Sequence, residues 1–146
     1  MDLSLFVHWY LEPWRKYAVF SGRAPRIEFW TFALTNLVVL SIWNFLMRVW
    51  ASHLQSGGHS VSHPTADIVI AISILYFACL VFLIVPTIAV TARRLHDIGQ
   101  PAWFCLLYAV PLVGPSILWV MSAFRGQPES NRYGANPYDT DFTQPA

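Results

Sequence analysis

An all-α membrane helical bundle is the fold class this sequence predicts, and three observations carry it. Three stretches, Phe29–Met47, Ile68–Ala92 and Ile98–Phe124, contain no charged residue. All nine Lys and Arg and all eight Asp and Glu fall outside them. Apolar residues make up 55% of the 146-residue chain and charged ones only 12%, about half the charged share usual in a soluble domain. A helix rises about 1.5 Å per residue and a bilayer core is about 30 Å thick, so about 20 residues cross it. Each run is long enough. Their apolar residues surround the helix axis instead of following one stripe, as expected where lipid replaces water.

Taken in order, the chain reads as one membrane domain, 1–146. The first twenty residues carry Asp2 near the start and Arg15–Lys16 after their apolar part, the reverse of a signal peptide's charge order. Trp9, Tyr10, Trp14 and Tyr17 suit an amphipathic helix within residues 1–27, lying at the membrane surface or packed on the bundle. Pro25 fits the first turn of the first span, 28–50, and Glu28 lies near the positive end of its dipole. Arg23 and Arg26 fall at headgroup level, with Trp30 as an interfacial anchor. The second span is 67–92. Beyond it, Gly99 provides a helix C-cap and Pro101 opens a third span, 101–124. Pro111, Gly114 and Pro115 interrupt that third run. Split there, each arm would be about 13–14 Å long, too short to cross, so one kinked span is favoured over a hairpin. Residues 125–146 form a polar tail of turn formers.

Charge placement sets the orientation. Arg15, Lys16, Arg23 and Arg26 precede the first span, Arg48 alone stands against its end, and Arg93 and Arg94 follow the second. Positive-inside logic puts the N-terminus and the "RRLHD" loop in the cytoplasm and the histidine-bearing loop outside. Three spans would leave the tail outside, whereas Arg125 and Arg132 fit a cytoplasmic address. The side of the tail stays open.

The net charge of +1 gives no argument for nucleic acid. Cys79 and Cys105, without CxxC spacing, form neither a disulfide framework nor a zinc site. The informative charges are the candidate site: Arg23, Arg26, Glu28, Arg93, Arg94, His96 and Asp97. Asp97 stands four residues from Arg93 and three from Arg94, so on a continuing helix it can pair with either, and an Arg94–Glu28 pair would tie the first two spans together.

"FSGRAPRIEFW", "ARRLHDIGQPAWF", "PLVG" and "NRYGANP", in that order around three spans, resemble a bacterial inner-membrane family of unknown function typified by YhaH and YhaI. The resemblance covers nearly the whole chain. Its motif positions are Gly22, Arg23, Arg26, Glu28 and Trp30, then Arg93, Arg94, Leu95, His96, Asp97 and Trp103, and in the tail Asn131, Tyr133, Gly134 and Pro137. Gln100–Pro101 and the longer histidine-bearing loop depart from the usual pattern. The resemblance implies a small inner-membrane protein and no known reaction.

Two readings of the site compete. In one, the arginines fix topology and Asp97 neutralises one of them. In the other, Arg93 and Arg94 hold a phospholipid phosphate, which the planar guanidinium fork suits, while Asp97 orients His96. His96 as a general base lacks a nucleophile or metal set at recognisable spacing. His53, His59 and His63 form only a loose metal set in a Gly/Ser-rich loop. No catalytic residue and no cofactor are therefore expected. The expected function is a non-catalytic accessory or scaffold in the inner (plasma) membrane, binding anionic phospholipid or a membrane partner at its cytoplasmic face, with a membrane protein or a homo-oligomer as the protein partner. The alternative is a subunit of an oligomeric transporter or channel, and a lipid-headgroup-modifying enzyme comes third.

Overall fold

The structure is a computed structural model that describes residues 3–56 and 63–138, with side chains described at 3–53 and 67–138. Five helical elements follow one another: α1 (Leu3–Arg15), α2 (Arg26–Ser56), α3 (His63–Asp97), a 3-10 helix (Ala102–Ala109) and α4 (Val113–Ala123). Among the described residues no strand forms, and only an isolated bridge joins Asn131 and Gly134. The chain divides into two compact units, one of Met1–Ala33 with Val85–Ala146 and one of Leu34–Ile84.

In the smaller unit the two helical segments carry apolar side chains outward, among them Val39, Phe45, Ile74 and Phe77. One polar tie is Asn44, whose Nδ2 donates to the Tyr76 hydroxyl and to the Leu40 carbonyl, each at 2.8 Å. Trp43 stacks on Tyr76 with centroids 5.9 Å apart. Helices α2 and α3 contain stretches of 28 and 31 residues, Arg26–His53 and Asp67–Asp97, long and apolar enough to cross a membrane. Within each, the most apolar window of 18 residues is almost wholly uncovered by protein, unlike the core helix of a soluble domain. Pro86 lies inside α3 and does not end it.

The larger unit holds every buried apolar residue among those described, including Trp9, Phe29, Phe32, Val90, Leu95 and Leu118. Helix α1 packs by its Tyr10 and Trp14 rings, 6.0 and 5.7 Å from Phe32, and buries Trp9 and Pro13. Leu3, Val7 and Leu11, spaced four apart and so on one helix face, remain exposed. The helix thus has a protein face and an apolar outer stripe. At its end Glu12 pairs with Lys16 at 2.7 Å. Burial alone would raise the Glu12 carboxyl, but Lys16, His8 and Arg15 outweigh it and hold the pKa below its ordinary value.

Helix α3 closes on a Schellman motif. The Gly99 N–H donates to the His96 carbonyl at 3.0 Å and the Gln100 N–H to the Leu95 carbonyl at 2.8 Å, with Gly99 left-handed at φ +81°. Pro101 then caps the 3-10 helix, as the sequence anticipates.

The third apolar run differs from the kinked span expected of it. It is two short helices joined by a reversal at Val110–Leu112. Eight residues of 3-10 helix and eleven of α-helix each reach about 16 Å, short of a bilayer core of about 30 Å. Leu112 takes a positive φ of 64° at the turn. The two arms pack so closely that a Cβ at Gly114 would collide with the Leu107 carbonyl. The run ends where it began, for the Gln127 N–H donates to the Asp97 carbonyl at 2.9 Å. The short arms discounted on length are therefore both present, folded back as a hairpin.

Candidate functional site

The last turn of α3 delivers Arg93, Arg94 and Asp97 to the larger unit. Residues 93 and 94 point about 100° apart around a helix, so they take different partners. Arg94 lies on the same face as Asp97, three residues on, and pairs with its Oδ2. Arg93 turns toward α2 and meets Glu28 Oε1 at 2.8 Å, both side chains being 2% exposed. The expected link between the spans exists, but Arg93 makes it and not Arg94, because helix phase commits Arg94 to Asp97.

Arg23 reaches Asp97 from the other side. Gly22, left-handed at φ +86°, turns the chain inward, and the Ala24 N–H donates to the Arg93 carbonyl at 3.1 Å. Arg23 then places Nε 2.9 Å and Nη2 2.8 Å from Asp97 Oδ1. Asp97 is thereby shared by two guanidinium groups, one on each oxygen, with no exposed surface.

The C-terminal segment supplies the remaining acceptors. Arg23 Nη1 donates to the Glu129 carbonyl at 2.8 Å, and its Nη2 to that of Gln127. Arg94 Nε donates to the Ser122 carbonyl at 3.0 Å and its Nη2 to that of Phe124. Those carbonyls belong to the end of α4, where four acceptors lack helical partners and the dipole is negative. Arg94 therefore caps α4. Arg26 Nε joins it on Phe124 at 3.0 Å. The segment passes so near Asp97 that a Cβ at Gly126 would collide with the carboxylate.

His96 sits at the edge of this cluster. Its Nδ1 lies 3.1 Å from the Gly22 carbonyl, which can only accept, so Nδ1 carries the proton. Tyr133 stacks on the imidazole with centroids 3.9 Å apart and planes 7° from parallel, and Arg132 lies over the Tyr133 ring. Asn131 fixes this loop. Its Nδ2 donates to the His96 carbonyl at 2.9 Å and its Oδ1 accepts from the Tyr133 N–H at 2.9 Å.

The predicted residues thus converge, with different duties from those expected. Arg23, Arg93 and Arg94 are buried and engaged inside the chain, so Asp97 orients arginines and not His96. Arg26 is only half-buried. Among the described residues no group of three or more His, Cys, Asp or Glu side chains gathers as a metal site. Of the loop histidines His53 is described, while His59 and the His63 side chain lie outside the described residues. Sequence reasoning missed the carbonyls of Ser122, Phe124, Gln127 and Glu129, which carry no side-chain signature. It also missed Gly126, whose only signal is a glycine two residues after the third run ends at Phe124.

A protein family described as "Protein of unknown function (DUF805)" matches residues 17–135. Inner membrane protein YhaH of Escherichia coli (strain K12) is 34% identical over 129 residues, covering 88% of this chain and 95% of that protein. Inner membrane protein YhaI of the same strain is 34% identical over 131 residues, covering 90% of this chain and 96% of that one. No solved structure matches.

Proposed function

This chain belongs to that family, and from that premise we propose a non-catalytic inner-membrane scaffold that engages anionic lipid or a membrane partner at its cytoplasmic face. In this reading α2 and α3 cross the membrane, both termini are cytoplasmic, and the third apolar run is a re-entrant hairpin that enters and leaves on the cytoplasmic side. One observation carries it. Gly22–Arg26, Arg93–Asp97 and the segment from Phe124 to Tyr133 interlock through buried guanidinium groups. Segments in direct hydrogen bonding lie on one side of a bilayer, and the density of arginine makes that side the cytoplasm.

Two further features support the reading. Arg23, Glu28, Arg93, Arg94 and Asp97 are held by one another, so none of these five is presented to a substrate as an acid, base or nucleophile. The exposed Leu3–Val7–Leu11 stripe of α1 has the form of a helix lying in the membrane surface.

Single cysteines in the full-length chain, with Cys79 and Cys105 replaced by serine, test the topology. A membrane-impermeant maleimide added to intact cells should label a cysteine at position 58 and spare one at position 130 until the membrane is opened. Labelling of both positions from outside would restore three full spans and overturn the reading.

A further inference from the structure

Two arginines differ from those of the cluster. Arg26 uses Nε on the Phe124 carbonyl, but among the described residues neither of its terminal nitrogens has a partner. Arg125 is exposed, and no carboxylate among the described residues pairs with either of them. Both line one cavity of about 380 Å³, whose remaining polar walls are the uncharged side chains of Gln127, Asn136 and Tyr138. No acidic residue among those described lines it. The Tyr138 hydroxyl accepts from the Arg26 backbone N–H at 3.1 Å, which leaves its own proton to donate.

Such a cavity suits an anion. Two guanidinium groups with free terminal N–H donors match the oxygens of a phosphate, and the volume falls in the usual range for small-ligand sites, about 300–1,000 Å³. Its position indicates where the phosphate comes from. Arg26 opens α2 three residues before the charge-free run begins at Phe29, and Arg125 directly follows Phe124, which is 60% exposed. Both cations therefore stand where the apolar surface ends, the depth of lipid headgroups.

We infer that the cavity between Arg26 and Arg125 binds the phosphate of an anionic phospholipid headgroup. This rests on the lipid-binding reading above and moves it from Arg93 and Arg94, which the fold buries, to two arginines that the fold leaves available. The uncharged polar walls among the described residues distinguish the site from the Asp97 cluster, where Arg23 and Arg94 meet a carboxylate.

Native mass spectrometry of the full-length protein in neutral detergent, titrated with phosphatidylglycerol or phosphatidylcholine, tests the inference. The wild-type chain should hold phosphatidylglycerol more tightly than phosphatidylcholine. R26Q/R125Q should lose about tenfold of that affinity, the effect of removing charged hydrogen bonds to one phosphate. Arg15→Gln, which removes a cation elsewhere on the surface, should lose none. R125Q alone breaks no hydrogen bond or ion pair among the described residues and so reads the site even where the double variant fails to fold; it should lose a smaller share. Excess inorganic phosphate should leave lipid binding unchanged, and displacement of the lipid by phosphate would assign the cavity to the free anion and overturn the lipid assignment. Selective lipid binding unaltered in R26Q/R125Q and R125Q would overturn this site while leaving the broader reading intact. Absence of any preference for phosphatidylglycerol would overturn this site and the lipid-binding part of the reading above.

Discussion

The two units of this chain solve opposite problems. Leu34–Ile84 contains none of the buried residues among those described, and its ties include the Asn44–Tyr76 hydrogen bond and the Trp43–Tyr76 stack. The unit of Met1–Ala33 and Val85–Ala146 buries its apolar residues together with Arg23, Glu28, Arg93, Arg94 and Asp97. In a soluble protein the apolar unit would be the stabilising one. For a chain of an inner-membrane family the reasoning reverses, because lipid tails are as apolar as Leu and no hydrophobic force drives helices together. Specific structure must then come from packing and hydrogen bonds. Here it is concentrated where the chain places its few charges.

Asp97 should be the position where that contrast is most easily broken. Asp97→Ala leaves Arg23 and Arg94 buried with no carboxylate between them. Removing one partner of a buried pair costs roughly 3–5 kcal/mol, and here two pairs share the partner. The expected result is a collapse of protein level in membranes and of the melting temperature in detergent. A variant that melts within a few degrees of wild type would show the cluster to be solvated.

The Arg93–Glu28 pair offers a sharper and smaller break. Arg93→Glu and Glu28→Arg should each destabilise by roughly 3–5 kcal/mol, and combined they should recover most of the loss. Combining Arg94→Glu with Glu28→Arg should recover nothing, since Arg94 faces Asp97. Rescue by the second combination and not the first would reverse the assignment of the two arginines.

These assignments show which parts of the molecule are legible in its sequence. The long helices are, because an uninterrupted apolar run has few alternatives, and so is the α3 terminus, where Gly99 and Pro101 each have a local conformational role. The cluster's membership is legible too, since a chain with 12% charge has few places for Arg23, Glu28 or Asp97. Its wiring is not. Which of two adjacent arginines faces Glu28 depends on helix phase at a crossing that no local pattern fixes. The hairpin in the third run was signalled by Pro111, Gly114 and Pro115, yet arm length alone argued against it. What decides it is the return of Gln127 to Asp97 and the capping of α4 by Arg94, both long-range and both through backbone carbonyls.

The smallest effect belongs to the apolar unit. Asn44→Leu removes the bond to Tyr76 and the back-bond to Leu40, and leaves Trp43 stacked on Tyr76. A polar side chain in lipid would seem costly to strip of its partner, but leucine strands no donor on its own side, and the Tyr76 hydroxyl keeps a proton that can turn to another acceptor. Interhelical hydrogen bonds of this kind are worth about 0.6 kcal/mol on average in membrane proteins. Asn44→Leu should therefore lower the melting temperature in detergent by only a degree or two, against the collapse expected of Asp97→Ala. A loss on the scale of Asp97 would mean that the apolar unit carries specific structure of its own, and the division of labour between the two regions would have to be abandoned.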